Sequence, residues 1–183
     1  MPHAPPPPAA SPRAPRAERA DFTAREFRDA LSEFATGVTV IATREAATGG
    51  PPCYAGFTAN SFNSVSLDPP LVVWSLALAA GTLEAFERCE RYAISVLAHD
   101  QIEIARRFAL PHADRFAGVP YVLGWAQAPL IEGAVAWFEC RHHARQPAGD
   151  HVLFVGEVVR CARRHGPGLV FHHGRFRTTA PLG

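Results

Sequence analysis

Helical and strand patterns do not alternate along this chain of 183 residues. Apolar periodicity predicts one helix over residues 23–35, several strands, and then two short helices that begin at Thr82 and at Asp100. Two long strands are predicted near the end, over residues 133–145 and 150–163. A doubly wound parallel sheet needs regular alternation of strands and helices, so this order argues against one. The sequence predicts a mainly β domain, a small antiparallel barrel with peripheral helices.

Composition narrows the class of partner. The hydrophobic set makes up 48% of the chain, which is enough for a packed core, and 18 basic residues nearly balance 17 acidic ones. Lys and Arg do not concentrate on one element, and no apolar run reaches membrane-spanning length. We therefore predict no nucleic-acid partner and no membrane span. Four widely spaced cysteines, without a C-x-x-C, predict reduced, buried thiols in a cytoplasmic protein: Cys53, Cys89, Cys140 and Cys161.

The first 21 residues differ from the rest in composition. Seven of the first fifteen residues are proline and most of the others are alanine, so we predict a disordered Pro/Ala-rich tail over residues 1–21. The tail lacks the apolar core of a secretory signal. A ligand for a proline-recognition domain is the alternative to an inert tail. The folded domain is expected over residues 22–179.

A Ser/Thr/Asn-rich segment lies within residues 56–76, between two strand-like runs. It is closed by Asp68-Pro69-Pro70, and an apolar, β-branched run follows at once. A polar segment held between two buried strands offers hydroxyl and N–H groups at fixed positions, which suits a ligand with many acceptors and a flat heteroaromatic ring. The alternative is an ordinary turn, since Ser and Asn are common in turns and Asp-Pro-Pro closes them.

No dinucleotide-binding, P-loop, nucleophile-elbow or H-E-x-x-H motif occurs in the chain. The adjacent pairs His142-His143 and His172-His173 do not predict a metal site, because neighbours in a strand face opposite ways and carboxylates at matching spacing are lacking. His151 follows a turn and begins an apolar strand, which places it at the rim of the barrel or, alternatively, in open solvent.

Several motifs, in this order, resemble the flavin reductase family with the split-barrel, FMN-binding fold. These reductases are the small components of two-component flavin monooxygenases. The resemblance covers about residues 24–178. Its principal marks are Gly56-Phe57-Thr58-Ala59-Asn60-Ser61-Phe62 with Ser64-Val65-Ser66, the strand Ala93-Ile94-Ser95-Val96-Leu97, the run Gly149-Asp150-His151 with Gly156-Glu157-Val158, and the ending Gly174-Arg175-Phe176-Arg177.

The resemblance implies a six-stranded antiparallel split barrel in a homodimer, with FMN or FAD bound near the subunit junction. It places Thr58, Ala59, Asn60 and Ser61 along the isoalloxazine ring, and Ser64, Val65 and Ser66 at the ribityl chain and phosphate. Ser75 and Thr82 would assist with the phosphate. His151, the candidate catalytic residue, and Phe176 would lie near the nicotinamide of NADH or NADPH. Thr82 has a second interpretation from local pattern alone, as a plain helix N-cap.

Two departures from the family pattern concern the phosphate and the nicotinamide. Residues 77–81 carry no charge where many relatives have a basic residue, and Phe176 stands where tyrosine is common. The predicted function is NAD(P)H-dependent flavin reduction, which supplies reduced flavin to a partner monooxygenase. The alternatives are a non-catalytic flavin- or haem-binding split barrel, and an interaction module that uses the proline-rich tail.

Overall fold

The computed structural model describes residues 20–45, 52–111 and 114–181. The predicted tail therefore lies almost wholly outside the described residues and stays a prediction. Three helices are present: α1 (Ala24–Ser32), α2 (Leu83–Arg88) and α3 (Ile102–Ala109). The strands are β1 (Thr36–Gly37), β2 (Thr39–Arg44), β3 (Tyr54–Ala59), β4 (Asn63–Leu67), β5 (Pro70–Ala77), β6 (Arg91–Val96), β7 (Tyr121–Leu123), β8 (Pro129–Ile131), β9 (Ala136–Ala148), β10 (His151–Arg163), β11 (Leu169–His172) and β12 (Arg175–Thr178).

Seven of these strands form one antiparallel sheet, in the order β3-β2-β6-β9-β10-β5-β4. Its two edge strands, β3 and β4, are consecutive in the chain and are joined by only three residues, 60–62. A flat sheet of seven strands is about 29 Å across, whereas this link spans at most about 14 Å. The sheet must therefore curl until its edges approach each other. The predicted antiparallel split barrel is confirmed, with seven strands in the sheet rather than six.

Side chains alternate between the barrel interior and its outer surface. On β5, Val72, Trp74 and Leu76 point inward, and the facing residues of β10, Val152 and Phe154, join the same core cluster. The ring of Phe86 is fully buried in this cluster, so α2 packs against the barrel interior. A second cluster lies outside the barrel wall, where α3 and β11 pack against the other face of β2. The intervening residues of β5 and β10 face outward, and they carry part of the candidate site.

Helix α1 begins as its sequence predicts. The Thr23 side chain accepts a hydrogen bond from the Glu26 N–H, and the Glu26 carboxylate accepts one from the Thr23 N–H, which completes the capping box. The apolar face expected for this helix is present, but the other described residues do not cover it: Phe27, Leu31 and Phe34 are each at least half exposed. No residue of α1 is buried.

Several local predictions differ from the structure. The Ser/Asn-rich segment was predicted to be irregular, but residues 63–67 form the edge strand β4, because β5 supplies a hairpin partner. The β9–β10 turn is shorter than the predicted 146–149, since β9 continues to Ala148. Residues 110–132, whose sequence shows no regular apolar periodicity, contain the β7–β8 ribbon.

Two predictions about individual side chains were also wrong. The N-cap of α3 is Gln101 rather than Asp100, and Gln101 uses its amide to bind the Ala98 N–H and the Glu132 carbonyl. Of the four cysteines, only Cys140 is buried, whereas Cys53 and Cys161 are exposed. Cys161 lies near the end of β10, where most side chains are exposed to solvent.

Within the described ranges, every helix is too short or too polar to cross a lipid bilayer.

Candidate functional site

Three of the residues predicted to bind the flavin ring lie at the end of β3 or directly after it. The Thr58 hydroxyl donates to the carbonyl of Ala105 on α3 at 2.7 Å, so it fastens the strand to the helix. Ala59 is buried and its carbonyl accepts from the Thr39 hydroxyl at 2.9 Å. Asn60 follows at the bend between β3 and β4 and is exposed. The side chain of Thr58 is therefore committed to the frame, while Asn60 is open to solvent.

Ser61 and Ser75 form a direct clamp across the split of the barrel. The Ser61 hydroxyl accepts from the Ser75 N–H at 3.0 Å and donates to the Ser75 carbonyl at 3.2 Å. One side chain thus takes the place of a strand partner in the hydrogen-bond ladder. Satisfying both backbone groups of Ser75 holds the β3–β4 link beside β5. This clamp brings two predicted site residues together.

Strand β4 lies at the edge of the sheet and contains a bulge. Asn63 and Ser64 face Val73 and Val72, Ser66 faces Leu71, and Val65 is the additional residue between them. A bulged residue has no partner in the ladder, and an edge strand has one unpaired row of backbone groups. Val65 is 54% exposed. The Ser66 hydroxyl accepts from the Asp68 N–H, so it serves the turn.

His151 begins β10 at the same end of the sheet. It lies opposite Ala77 in register, and Ser75 lies opposite Leu153, so β5 separates His151 from the Ser61 clamp. Two strand spacings across the sheet and two residues along it amount to about 12 Å, which places His151 on the same side of the sheet as the predicted ring-binding segment of its own chain. The ring Nδ1 lies 2.7 Å from Asp150 Oδ1. This hydrogen bond, together with the charge of the imidazole, lowers the pKa of the Asp150 carboxyl below its ordinary value.

Thr82 does not belong to the same group of residues. It precedes α2, but its side chain makes no capping hydrogen bond, because its own backbone is already helical. It lines a cavity of about 590 Å³ with residues of β3 and with Arg115. Ser66 lies opposite Leu71, six residues before Ala77 on β5, a span of about 20 Å. Thr82 follows five residues after Ala77, beyond that end of β5.

Arg115 is a charged group near Thr82 that the sequence reasoning missed. Its guanidinium donates to the Gly56 carbonyl at 3.1 Å and to the Leu110 carbonyl at 3.2 Å. No carboxylate forms an ion pair with it in the portion of the chain that the structure describes. Residues 77–81 lack a cation, and Arg115 supplies one from elsewhere in the chain. The only sequence signal was an arginine beside Phe116 in a stretch without clear periodicity.

Phe176 lies on the far side of α3. It packs against Phe171 with ring centroids 5.5 Å apart, and the Arg106 guanidinium lies 5.9 Å from its ring centroid. Arg106 is the neighbour of Ala105, which binds Thr58, so Phe176 borders the β3 end of the site through α3. The described contacts do not join Phe176 to His151. The predicted residues thus form one group around β3, β4 and β5, with Phe176 and Thr82 at its margins.

Comparison with known proteins places the chain in a family. A profile for the flavin reductase like domain matches residues 31–180, which include every predicted site residue. An FMN reductase (NADH) from Agrobacterium fabrum is 44% identical over 152 residues, or 83% of this chain and 84% of that protein. The reductase component of a flavin-dependent trigonelline monooxygenase from Acinetobacter baylyi is 40% identical over 85% of this chain, which spans only 49% of that protein.

A solved structure agrees with these sequence matches. The NADH:FAD oxidoreductase of Streptomyces globisporus, in complex with NAD and FAD fragments, superposes with a TM-score of 0.80 at 42% identity. The match covers 90% of this chain and 98% of that one. The profile covers most of the chain, and relatives of matching length exceed 40% identity. This chain belongs to the flavin reductase-like family.

Proposed function

We propose that this chain reduces FMN or FAD with NADH or NADPH and passes the reduced flavin to a separate monooxygenase. The main support for this proposal is that the family match spans the entire group of residues around β3, β4, β5 and His151. The names of the relatives support the same chemistry, since one is an NADH-dependent FMN reductase and another is a monooxygenase reductase component. Residues 22–179 form the reductase unit in this proposal.

The groups left open along the split suit a flavin. The hydroxyls of Thr58 and Ser61 are used within the protein, so the exposed Asn60 amide and backbone N–H groups along the β3–β4 link and the β4 edge would be the donors to the flavin. A flavin presents ring carbonyls, hydroxyls and phosphate oxygens, which are acceptors for such donors. Ser64, Val65 and Ser66 would hold the ribityl and phosphate portion. Ser75 was predicted at the phosphate, but it is bonded to Ser61 of the ring-binding segment and would therefore lie beside the ring. Arg115 and Thr82 offer a second anion-binding point at the other end.

The bound cofactors supply the hydride chemistry, and the chain positions them. Asp150 is an acceptor only, so its contact assigns the proton to Nδ1 of His151. In the neutral ring Nε2 is then an acceptor. Such an acceptor suits a primary amide that donates N–H bonds, and the nicotinamide carboxamide is one. His151 therefore acts by positioning the reductant, and it is held in orientation by Asp150.

We also propose a homodimer that covers the outer face of β5 and β10. This face carries Val73, Val155 and Leu153, and Leu153 is 36% exposed. Val65 on the neighbouring edge strand β4 is also exposed. Apolar residues that are contiguous on an outer sheet face mark a surface suited to a second chain. Because Ser75 and His151 share this face, the second copy would border the flavin site.

The test is flavin-dependent consumption of NADH by the purified protein. With FMN or FAD present, the nicotinamide absorbance is expected to fall catalytically, whereas a yellow protein without turnover would indicate a flavin-binding barrel only. Val65→Pro removes one N–H at the bulge, with Val65→Ala as the matched control. The proline variant is expected to raise the flavin KM by about tenfold, since one hydrogen bond to a charged or polar ligand contributes about 1.5 kcal/mol. Equal flavin KM values in both variants would argue against backbone recognition at β4.

A further inference from the structure

Three ligand-bearing side chains meet at a joint outside the proposed flavin site. Glu33 is the C-cap of α1, and His172 and His173 lie at the β11–β12 turn. The His173 Nε2 lies 2.8 Å from Glu33 Oε2, and one candidate ligand atom from each residue lies within 4.8 Å of the others. Glu33 and His173 are 140 positions apart, so only the folded chain brings them together.

The two histidines share one side of the hairpin because His173 has left the strand. Its φ is +51°, and Gly174 follows at +68°, the pattern of a two-residue type I′ turn. In a regular strand, neighbours point to opposite faces, and that expectation gave no metal site here. The positive φ instead turns the two imidazole rings together, with centroids 3.9 Å apart and planes 25° from parallel. The sequence has no carboxylate at matching spacing, and the folded chain supplies one from the end of α1.

We infer that Glu33, His172 and His173 form a binding site for a divalent transition ion of the zinc type. Two imidazoles and one carboxylate are ligands that zinc accepts in proteins, with a fourth position left for water. Tetrahedral zinc separates its ligand atoms by about 3.3 Å. The candidate ligand atoms now lie within 4.8 Å of one another, so small side-chain rotations would bring them to the separation that zinc requires. Such rotations are free here, since the side chains of His173 and Glu33 are 48% and 71% exposed.

The charge at the end of α1 favours a cation. Unpaired carbonyls make a helix C-terminus electronegative, and basic side chains in the last turn usually offset this. The last turn of α1 has none. Arg175 lies opposite His172 in register and opposes a bound cation, but it is exposed, so solvent and salt screen its charge.

A bound ion would fasten α1 to the domain. The His173 N–H already donates to the Ser32 carbonyl at 3.1 Å, which joins the hairpin turn to the last residue of the helix. No residue of α1 is buried, so this joint carries much of the attachment. Coordination by Glu33 from one side and by both histidines from the other would hold the helix, and its apolar face, in one orientation.

The test is zinc binding by the untagged, full-length protein in competition with a chromogenic chelator. One zinc per chain is expected, and Co²⁺ is expected to give the visible absorption of a four-coordinate site. Glu33→Gln, His172→Ala and His173→Ala should each weaken binding by at least about tenfold. His143→Ala removes an exposed histidine from β9, and Cys161→Ser removes an exposed thiol from β10; both should bind zinc as the parent does.

Two results would overturn the inference. One is the absence of binding at micromolar zinc, and the other is binding that survives Glu33→Gln and His173→Ala but is lost in a control variant. Side-chain NMR of the unmodified protein gives a measurement that does not depend on the variants folding. The imidazole signals of His172 and His173 should shift on zinc addition while that of His143 stays in place. The reverse pattern would contradict the assignment. None of these readouts depends on flavin reduction.

Discussion

Replacing Gly156 with alanine would place a methyl group in a part of the barrel interior that has no space for it. The new Cβ would overlap the Tyr92 hydroxyl, lie 2.8 Å from Tyr92 Cζ and lie 3.2 Å from Cys140 Cβ. Tyr92 is fully buried and meets the Trp74 ring edge-on at 5.3 Å, so its ring has no room to swing away. Overpacking of this kind costs about 1–3 kcal/mol, and the fixed ring places Gly156→Ala near the upper value.

A loss of about 3 kcal/mol corresponds to a fall in Tm of about 6–12 °C for a domain of this size. Thermal unfolding followed by circular dichroism measures it. Gly37→Ala is the matched control, because Gly37 also lies in a strand but a Cβ there meets no atom within 4 Å. The control is expected to unfold within about 2 °C of the parent. A Gly156→Ala protein that unfolds with the control would refute the packing argument.

The Tyr92 hydroxyl gives a second check on the same reasoning. Burial raises the pKa of Tyr92 far above its ordinary value, and the hydroxyl has no hydrogen-bond partner among the described residues. Tyr92→Phe should therefore be neutral or stabilising by about 1 kcal/mol. It also removes the atom with which the new methyl group overlaps. The double variant should recover at least about 1 kcal/mol relative to the sum of the single changes, and strict additivity would contradict the proposed clash.

Three further predictions concern the candidate site and the thiols. His151→Ala should raise the NADH KM several-fold, as loss of one hydrogen bond of about 1 kcal/mol implies, with kcat within about twofold; a collapse of kcat at unchanged KM would refute the positioning role. NMR titration should show a pKa for Asp150 below its ordinary 3.8, and this pKa should rise in His151→Ala. Because the pKa is lowered in the folded state, the contact with His151 stabilises the fold at neutral pH. That stabilisation is lost as the pH falls through the Asp150 pKa. Burial raises the pKa of Cys140 to about 12, so a thiol reagent should label this residue only after unfolding. The exposed Cys53 and Cys161 should be labelled in the folded protein. Labelling of Cys140 before unfolding would contradict its burial.

Local signals in the sequence were sufficient for the elements that depend on them. Apolar residues at helical spacing placed α1, and apolar runs identified β5 and β10. Strand β4 was missed because its residues are polar and end at a proline-containing turn, which is also the pattern of a loop. At a sheet edge such residues are tolerated, and the pairing with β5 decides the structure.

Contacts between residues far apart in the chain could not be predicted from local sequence patterns. Arg115 binds the carbonyl of Gly56 across 59 positions, and no periodicity in its neighbourhood indicates that pairing. The grouping of Glu33 with two histidines depends on the positive φ of His173, a conformation that residues other than glycine rarely adopt. No proline and no pair of glycines nearby in the sequence requires this conformation. In both cases the local pattern was compatible with several backbone paths, and tertiary packing selected one.

The polar residues that identified the candidate site have a different role from the one their composition suggests. A segment rich in serine and threonine indicates hydroxyls for a ligand, yet the hydroxyls of Thr58 and Ser61 bind α3 and β5. These bonds hold the split of the barrel at a fixed width, because they fasten the β3–β4 link to its neighbours on both sides. In the function proposed above, backbone groups of the link and of the β4 bulge would then serve a ligand. Ligand affinity should therefore depend on Thr58 and Ser61 through the shape of the split, and on Val65 through its N–H.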